Sequence, residues 1–124
     1  MQKCVLIIET EAELRFLLKR VFETEYANFQ VATAADSFKA LGRLLQQHFD
    51  LVLLDQNVLG EEWLEVAQTI RAVWPDSRIL LLGGEEPLPA AGKEGWIFDD
   101  FIQKPFTQDQ LLNTVEHLLV GQHP

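Results

Sequence analysis

The chain has 124 residues, 48% of them hydrophobic, which suits one folded domain with its own core and excludes a disordered segment. Its 19 acidic and 10 basic residues give a formal net charge of -9, which argues against direct contact with nucleic acid or an anionic membrane. The single cysteine, Cys4, allows no internal disulfide, and no apolar run has signal-peptide or membrane-spanning length, so the cytoplasm is the expected location.

Along the chain, apolar runs alternate with helical periods. Cys4 to Ile8 is an unbroken apolar run, the pattern of a strand buried on both faces, and Cys4 reads as a small core residue. Leu14, Leu17, Leu18, Val21 and Phe22 then recur at i, i+3, i+4, i+7 and i+8, which predicts a first helix. Phe29 to Thr33 is the expected second strand. Phe38, Leu41, Leu44 and Leu45 form a second helical stripe, with Asp36 placed to cap it. Leu51 to Leu54 predicts the third strand. Trp63, Val66, Ala67, Ile70 and Val73 predict a third helix that ends at Trp74-Pro75. Ile79 to Leu82 is the expected fourth strand.

The segment EEPLPAAGKEG, Glu85 to Gly95, should hold a fourth helix but carries two prolines and two glycines. Proline costs about 3 kcal/mol and glycine about 1 kcal/mol inside a helix, so this helix is expected to be short or irregular. Phe101 to Gln103, extended toward Ile97, reads as the fifth strand. Leu111, Leu112, Val115, Leu118 and Leu119 mark a last helix, opened by the capping box Thr107 to Gln110. This alternation implies an α/β fold: a flavodoxin-like (βα)5 three-layer sandwich over residues 1–124, with parallel strand order 2-1-3-4-5.

In such a fold ligands bind beyond the carboxyl ends of the strands. Glu9, Thr10 and Glu11 follow the first strand. Asp55, Gln56 and Asn57 follow the third, Gly83 and Gly84 the fourth, and Lys104 and Pro105 the fifth. Carboxylates and a backbone carbonyl can hold Mg²⁺. An aspartate can attack phosphorus, and a lysine can neutralise phosphoryl oxygens. From the residues alone, Glu9 fits either a metal ligand or a solvated turn residue. Glu11 reads as a first-turn residue favoured by the helix dipole. Trp63, Trp74 and Trp96 read as packing residues, with Trp63 and Trp96 alternatively forming an apolar surface for a partner. His48, His117 and His123 read as surface residues.

VLIIETEAELRFLL, DLVLLDQNVLG, RILLLGG and DDFIQKPFTQDQLL together resemble the receiver domain of two-component response regulators over essentially the whole chain. The resemblance implies Asp55 as phosphoacceptor and Lys104 as the phosphoryl contact, with a cis peptide before Pro105. It implies Glu9, Asp55 and the Asn57 carbonyl as Mg²⁺ ligands. A histidine kinase, a phosphotransfer protein or another signalling protein is the implied partner. The face of the fourth helix, fifth strand and last helix is the implied homodimer surface.

The sequence departs from the family pattern at several points. Thr10 stands where the second acidic metal ligand is expected, so Mg²⁺ binding is expected to be weak or absent. Gly83 stands in place of the switch serine or threonine, and Phe101 holds the switch aromatic position without a hydroxyl. Gly83 is expected to leave the hydroxyl's volume empty, letting Phe101 sit inward without phosphorylation. Two alternatives accompany this reading. One is a pseudo-receiver that acts as a phosphorylation-independent interaction module. The other is a phosphatase of the haloacid dehalogenase kind, which the absence of a second aspartate after Asp55 argues against.

Overall fold

The computed structural model describes residues 2–87 and 97–120. Along them run β1 (Lys3–Ile8), α1 (Ala12–Glu25), β2 (Phe29–Ala34), α2 (Ser37–Gln46), β3 (Leu51–Asp55), α3 (Trp63–Val73), β4 (Arg78–Gly83), β5 (Asp100–Gln103) and α4 (Gln108–Val120). The strands form one parallel sheet in the order β2-β1-β3-β4-β5, as expected. From position 88 the anticipated irregular fourth helix lies outside the described residues, as do Trp96 and His123; Glu85, Glu86 and Pro87 are not helical.

The apolar runs make strands because both of their faces are covered. Side chains alternate across a strand. Leu6, Ile8, Val52, Leu54, Ile79 and Leu81 enter one core, which Ala40, Leu44, Val66, Ala67 and Ile70 of α2 and α3 complete. Val5, Ile7, Leu51, Leu53, Leu80 and Leu82 enter the other, against Leu18, Val21 and Phe22 of α1 and Leu111, Val115 and Leu118 of α4. Each of these twelve strand residues is fully buried. Cys4 is half-buried rather than core, with its Sγ 3.5 Å from Gln30 Oε1.

Two caps match their sequence signatures. Asp36 accepts a hydrogen bond from the Lys39 N–H at 2.8 Å. Thr107 and Gln110 bond reciprocally: Thr107 N–H donates to Gln110 Oε1 at 2.8 Å, and Gln110 N–H donates to Thr107 Oγ1 at 3.1 Å.

The second helical stripe is corrected. Of Phe38, Leu41, Leu44 and Leu45 only Leu44 is buried; the others are 84%, 40% and 68% exposed. The core-facing pair is Ala40 and Leu44, one turn apart, because the small Ala40 lets α2 seat close to the sheet. The apolar set of α2 is wider than one face, so periodicity alone picks the wrong centre. Leu17 is likewise exposed on α1.

Trp63 packs edge-to-face on Phe98, ring centroids 5.7 Å apart, so it serves the core rather than an open surface. Trp74 donates its Nε1–H to the Leu44 carbonyl at 2.8 Å and packs edge-on against His48. His48 is half-buried and lies 3.0 Å from Asp76, where a surface position is expected.

Candidate functional site

The parallel sheet brings the ends of β1, β3, β4 and β5 together. Glu9 directly follows β1, Asp55 is the last residue of β3, and Lys104 directly follows β5. Glu9 and Asp55 are almost fully buried, at 0% and 1% exposure.

Glu9 is held at both its main chain and its side chain. Its N–H continues the ladder to the Ala34 carbonyl at 3.1 Å. Its own carbonyl accepts from the Arg15 guanidinium at 2.8 Å, and its Oε2 accepts from the Glu11 N–H at 3.0 Å. Glu11 is the exposed N-cap position of α1. Asp55 is oriented by two backbone donors: Thr10 N–H to Oδ2 at 3.0 Å and Asn57 N–H to Oδ1 at 3.0 Å. The Thr10 hydroxyl donates to the Asn57 carbonyl at 3.0 Å, tying the two loops directly.

Lys104 enters between the two carboxylates. Its N–H donates to the Gly83 carbonyl at 2.7 Å, and the Lys104–Pro105 peptide is cis, as expected. Its Nζ lies 3.0 Å from Glu9 Oε1 and 3.2 Å from Asp55 Oδ1. The aligned hydrogen bond to Glu9 goes to Oε2 at 3.3 Å. Glu9 Oε1 is buried with no donor aligned to it.

One ammonium therefore serves two buried carboxylates, and their titration reflects that deficit. At Glu9 burial outweighs the Glu11 N–H and Lys104, and the Asp55 charge adds to it, so its carboxyl is pushed above the ordinary 4.5. At Asp55 burial also favours the neutral form. The Asn57 and Thr10 N–H groups, the bond from Glu9 and the Lys104 charge reverse this and hold it below 3.8. At Lys104 burial opposes the charge, but Glu9 and Asp55 together raise its pKa above 10.5. Asp55 is thus held toward its ionised form beside an ammonium, and Glu9 is the carboxyl of the pair that keeps its proton more readily.

The site's fit to Mg²⁺ can be tested on these atoms. Two carboxylates and the Asn57 carbonyl meet the minimum, since Mg²⁺ takes one or two carboxylates and keeps several waters. Glu9 Oε1, buried without an aligned donor, and two carboxylates facing one ammonium also suit a second cation. Lys104 already contacts both carboxylates, and the Thr10 hydroxyl already occupies the Asn57 carbonyl. Among the described residues no three His, Cys, Asp or Glu side chains form a metal cluster.

Gly83 corrects the expected void. A Cβ built on Gly83 would run into the Gln56 side chain, 2.6 Å from its Cβ and 2.7 Å from its Cδ. The volume a hydroxyl side chain would take is filled by Gln56. Its Nε2 donates to the Glu85 carbonyl at 3.0 Å, and Gln103 Nε2 donates to the Gly84 carbonyl at 3.0 Å. Phe101 is half-buried and packs against the core on the α2 and α3 side. Gln56, Gln103 and Arg15 carry no sequence signal of their own. Their placement depends on a neighbouring glycine or carbonyl that only the fold brings near.

The fold and this cluster at its strand ends define the class. Residues 5–116 match the response regulator receiver domain family, and the chain belongs to it. Among curated relatives it is 33% identical over 116 residues to the transcriptional regulatory protein ResD of Bacillus subtilis (strain 168), covering 93% of this chain and 47% of that one. It is 28% identical to sporulation initiation phosphotransferase F of the same organism, covering 96% and 95%. The chain thus spans about half of ResD and nearly all of phosphotransferase F.

Among solved structures, a CheY-like receiver domain protein from Methanospirillum hungatei JF-1 shares the fold with a TM-score of 0.86 at 21% identity, covering 98% and 97% of the two chains. The response regulator TrrA of Thermotoga maritima, solved with Mg²⁺ and BeF, is 31% identical with a TM-score of 0.80, covering 94% and 99%. TrrA has also been solved in complex with the histidine kinase ThkA. Membership of this family sets aside the haloacid dehalogenase reading.

Proposed function

We propose that residues 1–124 are a single cytoplasmic receiver domain that accepts a phosphoryl group on Asp55 from a phosphohistidine of a kinase or phosphotransfer protein. A carboxylate oxygen of Asp55 attacks phosphorus and forms a P–O bond. The P–N bond to the donor histidine breaks, its electron pair stays on the imidazole nitrogen, and an acyl phosphate results. The single observation that carries this is an Asp55 held ionised, with the Lys104 ammonium 3.2 Å from Oδ1. Lys104 would neutralise the phosphoryl oxygens as charge builds on them.

Glu9, Asp55 and the Asn57 carbonyl would hold Mg²⁺, which supplies further charge neutralisation at the phosphoryl group. Thr10 contributes no carboxylate and Lys104 competes for the same oxygens, so binding should be weak. The TrrA–ThkA complex supports a histidine kinase as partner. The domain is read as a signalling module rather than an enzyme with turnover.

The test is incubation with Mg²⁺ and acetyl phosphate, followed by mass spectrometry. The expected result is partial gain of one phosphoryl group, lost in Asp55→Asn. A wild-type protein that gains none sinks the reading and favours the phosphorylation-independent module.

A further inference from the structure

We infer that Gln56 is the positioning residue that couples a phosphoryl group on Asp55 to the backbone after β4. This role rests on the reading of Asp55 as acceptor and names how its state is sensed. Gln56 follows Asp55 directly, and its N–H is fixed on the Leu82 carbonyl at 2.7 Å. Its side chain then crosses Gly83 so closely that no Cβ fits there. It ends with Nε2 on the Glu85 carbonyl at 3.0 Å.

The neighbouring Gly84 carbonyl is held separately, by Gln103 Nε2 at 3.0 Å. Two successive carbonyls beyond β4 are therefore held by two side-chain amides, one from the end of β3 and one from β5. Of the two glutamines, only Gln56 adjoins Asp55 in the chain. In the unphosphorylated protein its amide spends a donor on a neutral carbonyl.

A phosphoryl group brings anionic acceptors to Asp55. A hydrogen bond to an ionised acceptor is roughly twice as strong as one to a neutral acceptor. The Gln56 amide therefore leaves Glu85 for the phosphoryl oxygen. Glu85 is released while Gly84 stays held by Gln103. The change is local to the carbonyl of residue 85, and it needs no hydroxyl at position 83. Gly83 and Gln56 thus form one device: the glycine makes the path and the amide uses it.

The test uses ¹⁵N-labelled protein with Mg²⁺ and beryllofluoride, beside mass spectrometry with acetyl phosphate. In wild type, the Gln56 side-chain NH₂ signals and the backbone amides of Glu85 and Glu86 should shift together. In Gln56→Ala the mass adduct should still form, while the Glu85 and Glu86 signals lose most of their shift. Gln56→Glu keeps the shape, sets a carboxylate against the phosphoryl group, and should shorten the adduct's lifetime severalfold. Well-dispersed spectra of both variants without ligand show that they fold.

Wild-type shifts at Glu85 and Glu86 in Gln56→Ala, with the adduct formed, overturn the coupling alone. An unshortened lifetime in Gln56→Glu counts against it in the same way. No adduct in the wild type overturns the acceptor reading and the coupling with it.

Discussion

Thr10 ties the pocket's two loops through both of its polar groups. Its N–H orients Asp55 and its hydroxyl holds the Asn57 carbonyl. Thr10→Asp keeps the N–H, frees that carbonyl and adds a third carboxylate. Affinity for hard cations rises with ligand charge, so Mg²⁺ should bind about tenfold tighter, or ~1.4 kcal/mol, by titration calorimetry. Unchanged affinity would make Glu9 a charged turn residue rather than a ligand. Gly83 and Gln56 allow a second test at this scale. Gly83→Ala forces a methyl into the Gln56 side chain, and overpacking of this kind costs about 1–3 kcal/mol. In a Gln56→Ala background most of that cost should vanish in urea unfolding, since the two residues share one volume. Equal costs in both backgrounds would mean that Gln56 moves aside freely. The candidate site was legible in part for a physical reason. Glu9, Asp55 and Lys104 sit at strand ends, and strand ends follow from apolar runs. Gln56 was silent because its meaning depends on a missing side chain on the adjacent strand. Nothing along the chain marks that volume as filled, and only the fold sets Gln56 in it.

Elements show the same contrast between local and long-range information. The strands follow from short apolar runs, four helices follow from periodicity, and the capping box at Thr107 follows from three-residue spacing, because these signals are local. The buried face of α2 did not follow, because Phe38, Leu41, Leu44 and Leu45 span more than one face. The sheet chose Ala40 and Leu44 by how closely α2 approaches it. Gly42 lies on the outer side of this helix, and a Cβ added there meets nothing within 4 Å. Glycine inside a helix is destabilising by about 0.5–1 kcal/mol relative to alanine. Gly42→Ala should therefore raise stability by about that amount, read as a higher urea midpoint with an unchanged slope. A lower midpoint would show that position 42 needs a conformation other than the helical one.

At the scale of the molecule, the two ends of the sheet do different work. At the end away from the pocket, Asp99 pairs with Arg71 at 2.6 Å and with Arg78 at 3.4 Å, and the buried Ser77 hydroxyl donates to the Phe49 carbonyl at 2.5 Å. At that end one carboxylate ties two guanidinium groups, and the cluster serves the fold. The pocket end sets two buried carboxylates against one ammonium, and the resulting strain on ionisation makes stability depend on pH. Asp55 lies below its ordinary 3.8, so its contribution is present above that pH and fades as pH falls through the folded value. Lys104 lies above 10.5, so its contribution is present below that pH and is lost only in strong alkali. Glu9 runs the other way: with its pKa raised above 4.5, the folded state favours the proton, and stability is lost as pH rises from 4.5 through the raised value. The net charge of -9 also loosens the fold as pH rises, so wild-type data alone cannot isolate Glu9. Glu9→Gln can, because it keeps the shape and removes the titration. Urea midpoints of wild type and Glu9→Gln measured from pH 4.5 to pH 7 should diverge, with wild type falling relative to the variant as Glu9 ionises. Adding Mg²⁺ should narrow that gap, since a second cation supplies the charge that Lys104 cannot share between two carboxylates. Parallel curves would mean that Lys104 neutralises Glu9 in full and that the pocket carries no charge deficit for a cation to meet.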